Sequence, residues 1–432
     1  MQTEFLIGAA TAAHQVEGNN RNSDYWLMEH LRHSDFAEPS GDAVDHYSRY
    51  AEDIQLLARA GCNAYRFSIE WARVEPHEGC FSDEAISHYR SVLLCCRENG
   101  ITPVVTLHHF SSPAWLISKG GWGRPYVIEA FARYAETVAR ELGALMPYVC
   151  TINEANMGLQ LHKIAADMMR AGKKKEGGVQ VGQNMGLSLK QILLGMLEKG
   201  KAFGCNPFAV NTFLMPRDEK KERLVMAAHR AAAERFRRAS PESRIGLTLS
   251  LFDYQPLADG AAQTERLWHE DFGWYLPFIQ EDDFLGVQNY SRKLVDANGA
   301  REPAPDAPVT QMGYEEYPAS IGNVLRRVAK SFPGELLVTE NGIGTDDDTR
   351  RCAFIRSAFD SVMAARAAGV NVSGYLHWSL LDNFEWQAGY AKTFGVIAVD
   401  RSTQTRHPKQ SLHVLGALRV DAVKSDSNTD QT

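Results

Sequence analysis

Short runs of β-branched and aromatic residues alternate along this chain with longer stretches of helical periodicity. Eight such runs predict strands: Glu4–Ala10, Ala64–Ile69, Thr102–Thr106, Val149–Asn153, Arg244–Leu249, Phe284–Asn289, Leu336–Thr339 and Val372–Trp378. Helical patterns fill the gaps at Val44–Arg59, Asp83–Glu98, Pro125–Leu142, Leu187–Lys201, Lys220–Ala239, Ser320–Ser331, Asp348–Ala368 and Pro408–Leu418. Strand and helix in regular succession is the layout of a parallel sheet with crossover helices, and eight strands close a barrel. The expected fold class is therefore α/β, a single (β/α)8 TIM barrel with elaborated βα loops. It occupies residues 1–420 and leaves a polar tail at 421–432, where Ser425–Thr432 is expected to fray. Two stretches interrupt the alternation. Ala171–Gln183 is rich in Gly and Lys and reads as a βα-loop excursion; Asp259–Gln280, with Trp268, Trp274 and Pro277, reads as short helices.

The polar residues gather where the strands end. Gln15 follows the first strand, Glu70 and Arg73 the second, and His108-His109 the third. Asn153-Glu154, Asn289-Tyr290 and Glu340-Asn341 close the fourth, sixth and seventh, and Trp378, Glu385 and Trp386 follow the eighth. In a barrel these ends converge on one face, which carries the chemistry. Adjacent strand residues point to opposite faces, so one of His108 and His109 is expected inside the site and the other packed outward.

Composition narrows the chemistry. A net charge of −7 without a long basic stripe argues against nucleic acid as a partner. Lys173-Lys174-Lys175 reads as a solvated loop. The cysteines number 7, none in a CxxC spacing, and most are expected to pack as small core residues. Phe5–Ala13 is apolar, but no Lys or Arg precedes it, so it reads as the first strand rather than a signal. No apolar run is long enough to span a bilayer, and a cytoplasmic location is expected. No Gly-rich phosphate loop, H-E-x-x-H or acidic triad is present, so no cofactor and no metal are expected. Carboxylates, amides and indoles remain, the groups with which a protein grips and cleaves a sugar.

Glycoside hydrolysis needs two carboxylates flanking the anomeric carbon. Glu154 and Glu340 end the fourth and seventh strands, nearly opposite each other across the barrel, after the apolar runs Val-Cys-Thr-Ile-Asn and Leu-Leu-Val-Thr. A charge delivered by a buried strand costs several kcal/mol unless it is partnered or used.

Six motifs in order then resemble glycoside hydrolase family 1, the retaining β-glucosidase family, over nearly the whole chain. They are Phe5–Gly18 (FLIGAATAAHQVEG), Tyr65–Trp71 (YRFSIEW), Val105–Phe110 (VTLHHF), Thr151–Glu154 (TINE), Val338–Gly342 (VTENG) and Gly374–Tyr390 (GYLHWSLLDNFEWQAGY). The resemblance implies Glu340 as nucleophile and Glu154 as acid/base. Arg66 and Tyr290 would hold Glu340, and Asn153 would bind the sugar 2-OH. Gln15, His109, Glu385 and Trp386 would hold the other hydroxyls, and Trp378 would offer an apolar face. The implied partner is a small β-glycoside or short oligosaccharide. The glycone is left open among gluco, galacto and fuco, as is transglycosylation by the same intermediate. A catalytically silent sugar-binding protein would be expected to lack one of the carboxylates, and the 6-phospho-glycosidase branch typically lacks the Glu385-Trp386 pair.

Four departures from the family pattern stand out. Ala155 replaces the usual proline after the acid/base, and Phe110 stands where tryptophan is common. Gln288-Asn289 replaces Asn-Tyr before Tyr290, and Asn156–Asn211 lacks the common entrance loop. Glu70 with Arg73 is expected to form a rim salt bridge, and Asp382, Asn383 and Arg406 to be structural.

Overall fold

A computed structural model describes residues 4–171 and 189–429. Eight parallel strands close a barrel: β1 (Leu6–Ala10), β2 (Ala64–Ser68), β3 (Thr102–His108), β4 (Tyr148–Ile152), β5 (Arg244–Ser250), β6 (Phe284–Gln288), β7 (Glu335–Asn341) and β8 (Val372–Trp378). Each strand pairs with its sequence neighbours, and β1 meets β8 to close the ring. The eight sequence-predicted strands are all present. Two ends shift in ways that matter for the site. Strand β7 runs on through Glu340 and Asn341, while β4 stops before Asn153.

Inward-facing residues plug the lower barrel. Leu6, Ala64, Val104, Tyr148, Cys150, Phe284, Leu337 and Leu376 form one buried cluster, drawn from seven of the strands. Strand alternation then stacks Arg66 above Ala64, Thr106 above Val104, Gly286 and Gln288 above Phe284, and Trp378 above Leu376. Polarity thus rises toward the C-terminal end. Gly8 marks the tightest approach of two strands, since a Cβ there would lie 1.7 Å from the Ala64 carbonyl oxygen. Outward residues pack on the helices in a second, larger core.

The helices mostly follow the predicted pattern, for example His46–Arg59, Asp83–Glu98 and Glu219–Ala239. Met157–Ala171 is an additional helix, directly after the acid/base candidate. The last helix spans Gln410–Thr429, crossing the boundary expected at 420 and including 425–429, where fraying was expected. The excursion at Ala171–Gln183 falls, beyond its first residue, outside the described residues. Most of the cysteines take the expected core role. Cys62, Cys96, Cys150 and Cys352 are buried, but Cys95 and Cys205 are half-buried and Cys80 is exposed. No described helix is long and apolar enough to cross a membrane.

Arg406 ties the outer layer to the barrel, as a structural residue should. From the hairpin of Ile397–Asp400 and Thr405–Pro408 it donates to both Asp53 oxygens, at 2.8 and 2.9 Å, and to the Val44 carbonyl at 2.7 Å. His46 Nδ1 lies 2.7 Å from Asp53, and its Nε2 lies 3.1 Å from the Tyr65 hydroxyl on β2. Burial alone would raise the Asp53 carboxyl, but the Arg406 and His46 contacts outweigh it and hold it below the usual aspartate value. Asp53→Ala strands a buried guanidinium and is expected to lower stability by about 3–5 kcal/mol. Because the folded-state pKa is depressed, this contribution is present above the unfolded value of about 3.9 and fades as pH falls through the folded one. Urea unfolding of wild type and variant from neutral pH to the acid range checks this: the gap should be widest at neutral pH and shrink on acidification.

Candidate active site

The upper barrel layer converges on Arg66, which is fully buried on β2. Its Nε donates to Thr106 Oγ1 at 3.1 Å, Nη1 to Glu340 Oε1 at 2.5 Å, and Nη2 to Asn153 Oδ1 at 2.5 Å. One planar fork thereby fixes groups delivered by β7 and β4. Glu340 is re-aimed by a bulge: the register of β7 slips between Val338 and Glu340 against β6, and between Val338 and Asn341 against β8. Its Oε1 also accepts from Gln288 Nε2 at 2.8 Å, and its Oε2 from the Tyr290 hydroxyl at 2.7 Å.

Glu154 has a different environment. It is 2% exposed, and its backbone N–H donates to Thr248 Oγ1 at 2.8 Å. Ser250, at the end of β5, supplies a side-chain hydrogen bond to its carboxyl. Burial raises both carboxyls. For Glu340 that rise is opposed by the charge and hydrogen bond of Arg66 and by Tyr290. For Glu154 it is reinforced by the negative charge of Glu340, and Ser250 and the more distant Arg66 only partly offset it, so its carboxyl is held well above the usual range. The first proton therefore leaves Glu340 and the second stays on Glu154.

Asn153 shows how the network fixes orientation. Its Oδ1 accepts from Arg66, from Gln288 Nε2 at 2.8 Å and from Thr248 Oγ1 at 3.2 Å. Its Nδ2 is consequently the end that faces His109 Nε2, 3.1 Å away. A donor against Nε2 places the His109 proton on Nδ1. Burial, with the Arg66 and His108 charges, keeps His109 neutral by pushing its pKa well below the usual value. Its Nδ1 has no hydrogen-bond partner in the protein. His108, as expected, packs away from the site, against Ser112, Trp122 and Phe213.

Gln15 donates through Nε2 to the Phe384 carbonyl at 2.8 Å and to Glu385 Oε2 at 3.3 Å, leaving its Oε1 unpaired and buried. The aromatic wall is built on these loops. His109 stacks toward Trp378 and Trp386, with centroids 5.7 and 6.1 Å away, and His14 stacks behind Trp386 at 5.8 Å. His14 Nε2 in turn lies 3.4 Å from the buried Glu29. Phe110, Glu154 and Trp386 all hold positive φ, at 69°, 43° and 48°. Non-glycine residues adopt that region at a cost of about 1–3 kcal/mol each, and here the packed network sustains it.

The result is a cavity of about 340 Å³. Its wall contains the polar groups of His109, Asn153, Glu154, Tyr290, Glu340 and Glu385 and the rings of Phe110, Tyr314, Trp378, Trp386 and Phe394. Arg66 backs this wall through its bonds to Glu340 and Asn153, and Gln15 sits against Glu385. Tyr314 also borders a second, larger cleft of about 690 Å³ with Ile164, Phe252 and Lys293. Among the described residues no group of three or more metal-ligating side chains occurs.

Some expectations change. Glu70 and Arg73 do not form a rim salt bridge. Glu70 is buried and accepts from Ser111 Oγ at 2.5 Å and the Ala72 amide at 3.1 Å, capping the short helix Trp71–Val74. Arg73 pairs instead with Glu17, at 2.7 Å. Gln288, Ser250, Tyr314 and Phe394 were not singled out for these positions. Gln288 had a signal, since Phe284, Gly286 and Gln288 share the inward face of β6. Tyr314 and Phe394 lie in loops, where no periodicity marks them.

The comparisons with known proteins agree with this geometry. The family model described as "Glycosyl hydrolase family 1" matches residues 1–184 and 279–419. "Beta-glucosidase A" of Thermotoga maritima is 31% identical over 94% of this chain and 95% of its own length. "6-phospho-beta-galactosidase 1" of Streptococcus pneumoniae is 29% identical over 96% of this chain and 97% of its own. The crystal structure of the β-glycosidase BGL167 superposes with a TM-score of 0.87 at 41% identity, covering 97% of each chain. With its barrel closed, its two glutamates buried at the C-terminal end and the family model matched over most of its length, the chain belongs to glycosyl hydrolase family 1 and is a glycoside hydrolase.

Proposed function

We propose that this protein is an exo-acting, retaining β-glucosidase that hydrolyses terminal, non-phosphorylated β-D-glucosides, with Glu340 as nucleophile and Glu154 as acid/base. The observation that carries the reading is the unequal treatment of two neighbouring buried carboxylates. Glu340 holds an ion pair and two further hydrogen bonds that favour its charge, whereas Glu154 feels burial and the charge of Glu340. In the first step the Glu340 carboxylate attacks the anomeric carbon, while Glu154 gives its proton to the departing glycosidic oxygen. In the second, Glu154, now ionised, takes a proton from water as that water attacks the same carbon and releases Glu340. Two inversions leave the product in the β configuration.

The sugar contacts are assigned from the polar groups on and beside the cavity wall, two of which, His109 Nδ1 and Gln15 Oε1, have no partner in the protein. Asn153 Nδ2 and His109 Nδ1–H are the donors we assign to the glycone hydroxyls, Asn153 to the 2-OH. Gln15 Oε1 and the Glu385 carboxylate are the acceptors, Trp386 closes the same end, and Trp378 offers its ring to the apolar C–H face. A wall of side chains behind the cavity supports single-unit, exo action. The larger cleft shares Tyr314 with the cavity and is bordered by Ile164, Phe252 and Lys293, and we assign it to the leaving group. The unpaired state of all seven cysteines supports a reducing compartment, the cytoplasm.

The similarity to a 6-phospho-β-galactosidase raises the opposite glycone chemistry. Among the described residues no Lys or Arg lines the cavity wall, whereas Glu154, Glu340 and Glu385 do. That wall favours a free hexose over a phosphate dianion, whose repulsion from Glu385 across a few ångströms in a dry pocket is several kcal/mol, against about one in bulk water.

Two measurements test the assignment. The active form needs Glu340 ionised and Glu154 protonated, so kcat/KM should rise with pH as Glu340 ionises, above the usual glutamate value, and fall as Glu154 ionises, higher still. Glu154→Gln should retain the acid limb and lose the alkaline one. It should also slow substrates with poor leaving groups by about 10²–10⁴-fold while sparing activated aryl glucosides. An alkaline limb persisting in that variant, or equal losses on both substrate types, would contradict the role of Glu154. For the glycone, the free glucoside should be strongly preferred over its 6-phosphate. Glu385→Ala should lower kcat/KM for the glucoside by about 10–1,000-fold and for a 6-deoxy substrate by less. A preference for the 6-phosphoglucoside would overturn the substrate class.

A further inference from the structure

The inward face of β6 runs Phe284, Gly286, Gln288, from the apolar plug to the catalytic layer. At Gly286 the barrel is tight: a Cβ would meet Thr248 Cγ2 at 2.5 Å and Thr339 Oγ1 at 2.9 Å. One step higher the interior holds the fully buried amide of Gln288. Its Nε2 lies 2.8 Å from Asn153 Oδ1 and 2.8 Å from Glu340 Oε1, so each of its two hydrogens has an acceptor. Rotating the amide by half a turn would set a carbonyl against two oxygens, so the orientation is not degenerate. The other end, Gln288 Oε1, is buried with no partner. A native protein rarely leaves a buried acceptor unmatched unless the opposite end of the group is held by something stronger.

We infer that Gln288 is a positioning residue, coupling recognition of the sugar 2-OH at Asn153 to the ionisation of the nucleophile Glu340. The inference rests on the double-displacement reading above. Arg66 already bridges the same two groups through Nη1 and Nη2. Gln288 makes a second bridge, from the opposite side of the barrel, and it is neutral. On Glu340 it stabilises the carboxylate without adding a second positive charge that would blunt nucleophilicity. On Asn153 it completes, with Arg66 and Thr248, the set of donors on Oδ1. A saturated Oδ1 commits Nδ2 to the cavity side, where a donor can meet the 2-OH. Hydrogen bonds at that hydroxyl strengthen toward the transition state, so a freely turning Asn153 would lose rate more than binding.

The experiment compares wild type, Gln288→Met and Gln288→Asn on 4-nitrophenyl β-D-glucoside and its 2-deoxy analogue, as kcat/KM across pH. Met keeps the length of the side chain and removes the donor; Asn keeps the amide but falls one methylene short. For Gln288→Met the expected result is a loss of about 10–100-fold on the glucoside, mainly in kcat, and a clearly smaller loss on the 2-deoxy substrate. The acid limb should move to higher pH, because Glu340 has lost a bond to its charged form. Gln288→Asn should fall between the two. Equal losses on both substrates with an unmoved acid limb, or wild-type kinetics in both variants, overturn the inference. Thermal melts identify a variant that does not fold, and Gln288→Asn then carries the comparison alone. If wild type itself releases the α-anomer, the double-displacement reading fails instead, and the two failures are told apart.

Discussion

The Arg66 guanidinium against the Glu340 carboxylate is the contact around which the upper barrel is organised. Neither group reaches solvent to any useful extent, so the desolvation of each must be offset by the other and by further hydrogen bonds. The structure meets that demand in layers. Thr106 takes the remaining Nε of Arg66, Asn153 takes Nη2, and Tyr290 and Gln288 complete the acceptor sites of Glu340. These side chains come from three strands or strand ends, β3, β4 and β6. A barrel is suited to the task because eight strand termini deliver short, rigid side chains to one small volume.

That same pair sets the state of Glu154. A carboxyl buried near an ionised neighbour cannot easily ionise as well, and it lacks a guanidinium of its own. The two glutamates therefore differ in role because one is partnered and the other is not, even though both end apolar strands. The sugar-binding side obeys a complementary rule. Gln15 and His109 are held by bonds that each leave one polar atom unmatched, Gln15 bonds Glu385, and stacked rings brace His109.

Much of this was legible in the sequence. Period-two runs separated by helical periodicity located all eight strands, and strand-end polarity picked out both glutamates, Asn153 and Tyr290. His109 and His108 separated to opposite sides as alternation requires. What escaped had physical reasons. Gln288 stood out only as a departure from the family pattern, while the polar strand end pointed to Asn289-Tyr290. Asn289 in fact bonds backbone carbonyls and Ser320 away from the carboxylates. Glu70 and Arg73 are close in sequence, but the Glu70 carboxylate caps its helix at the Ala72 amide and takes Ser111, while Arg73 takes Glu17, so other partners replace the pair that sequence proximity suggested. Tyr314 and Phe394 reach the cavity from long loops, whose paths depend on tertiary packing rather than on any local repeat.

The central claim is that Glu340 becomes covalently attached to the sugar. A 2-deoxy-2-fluoro-β-glucoside with a good leaving group slows both steps and lets the intermediate accumulate, since the electronegative fluorine opposes positive charge at the anomeric carbon. Mass spectrometry of the intact protein followed by peptide mapping reads the outcome. The account predicts one fluoroglycosyl group per chain, located on Glu340. A label on any other residue, or no adduct in an enzyme that turns over aryl glucosides, would contradict it.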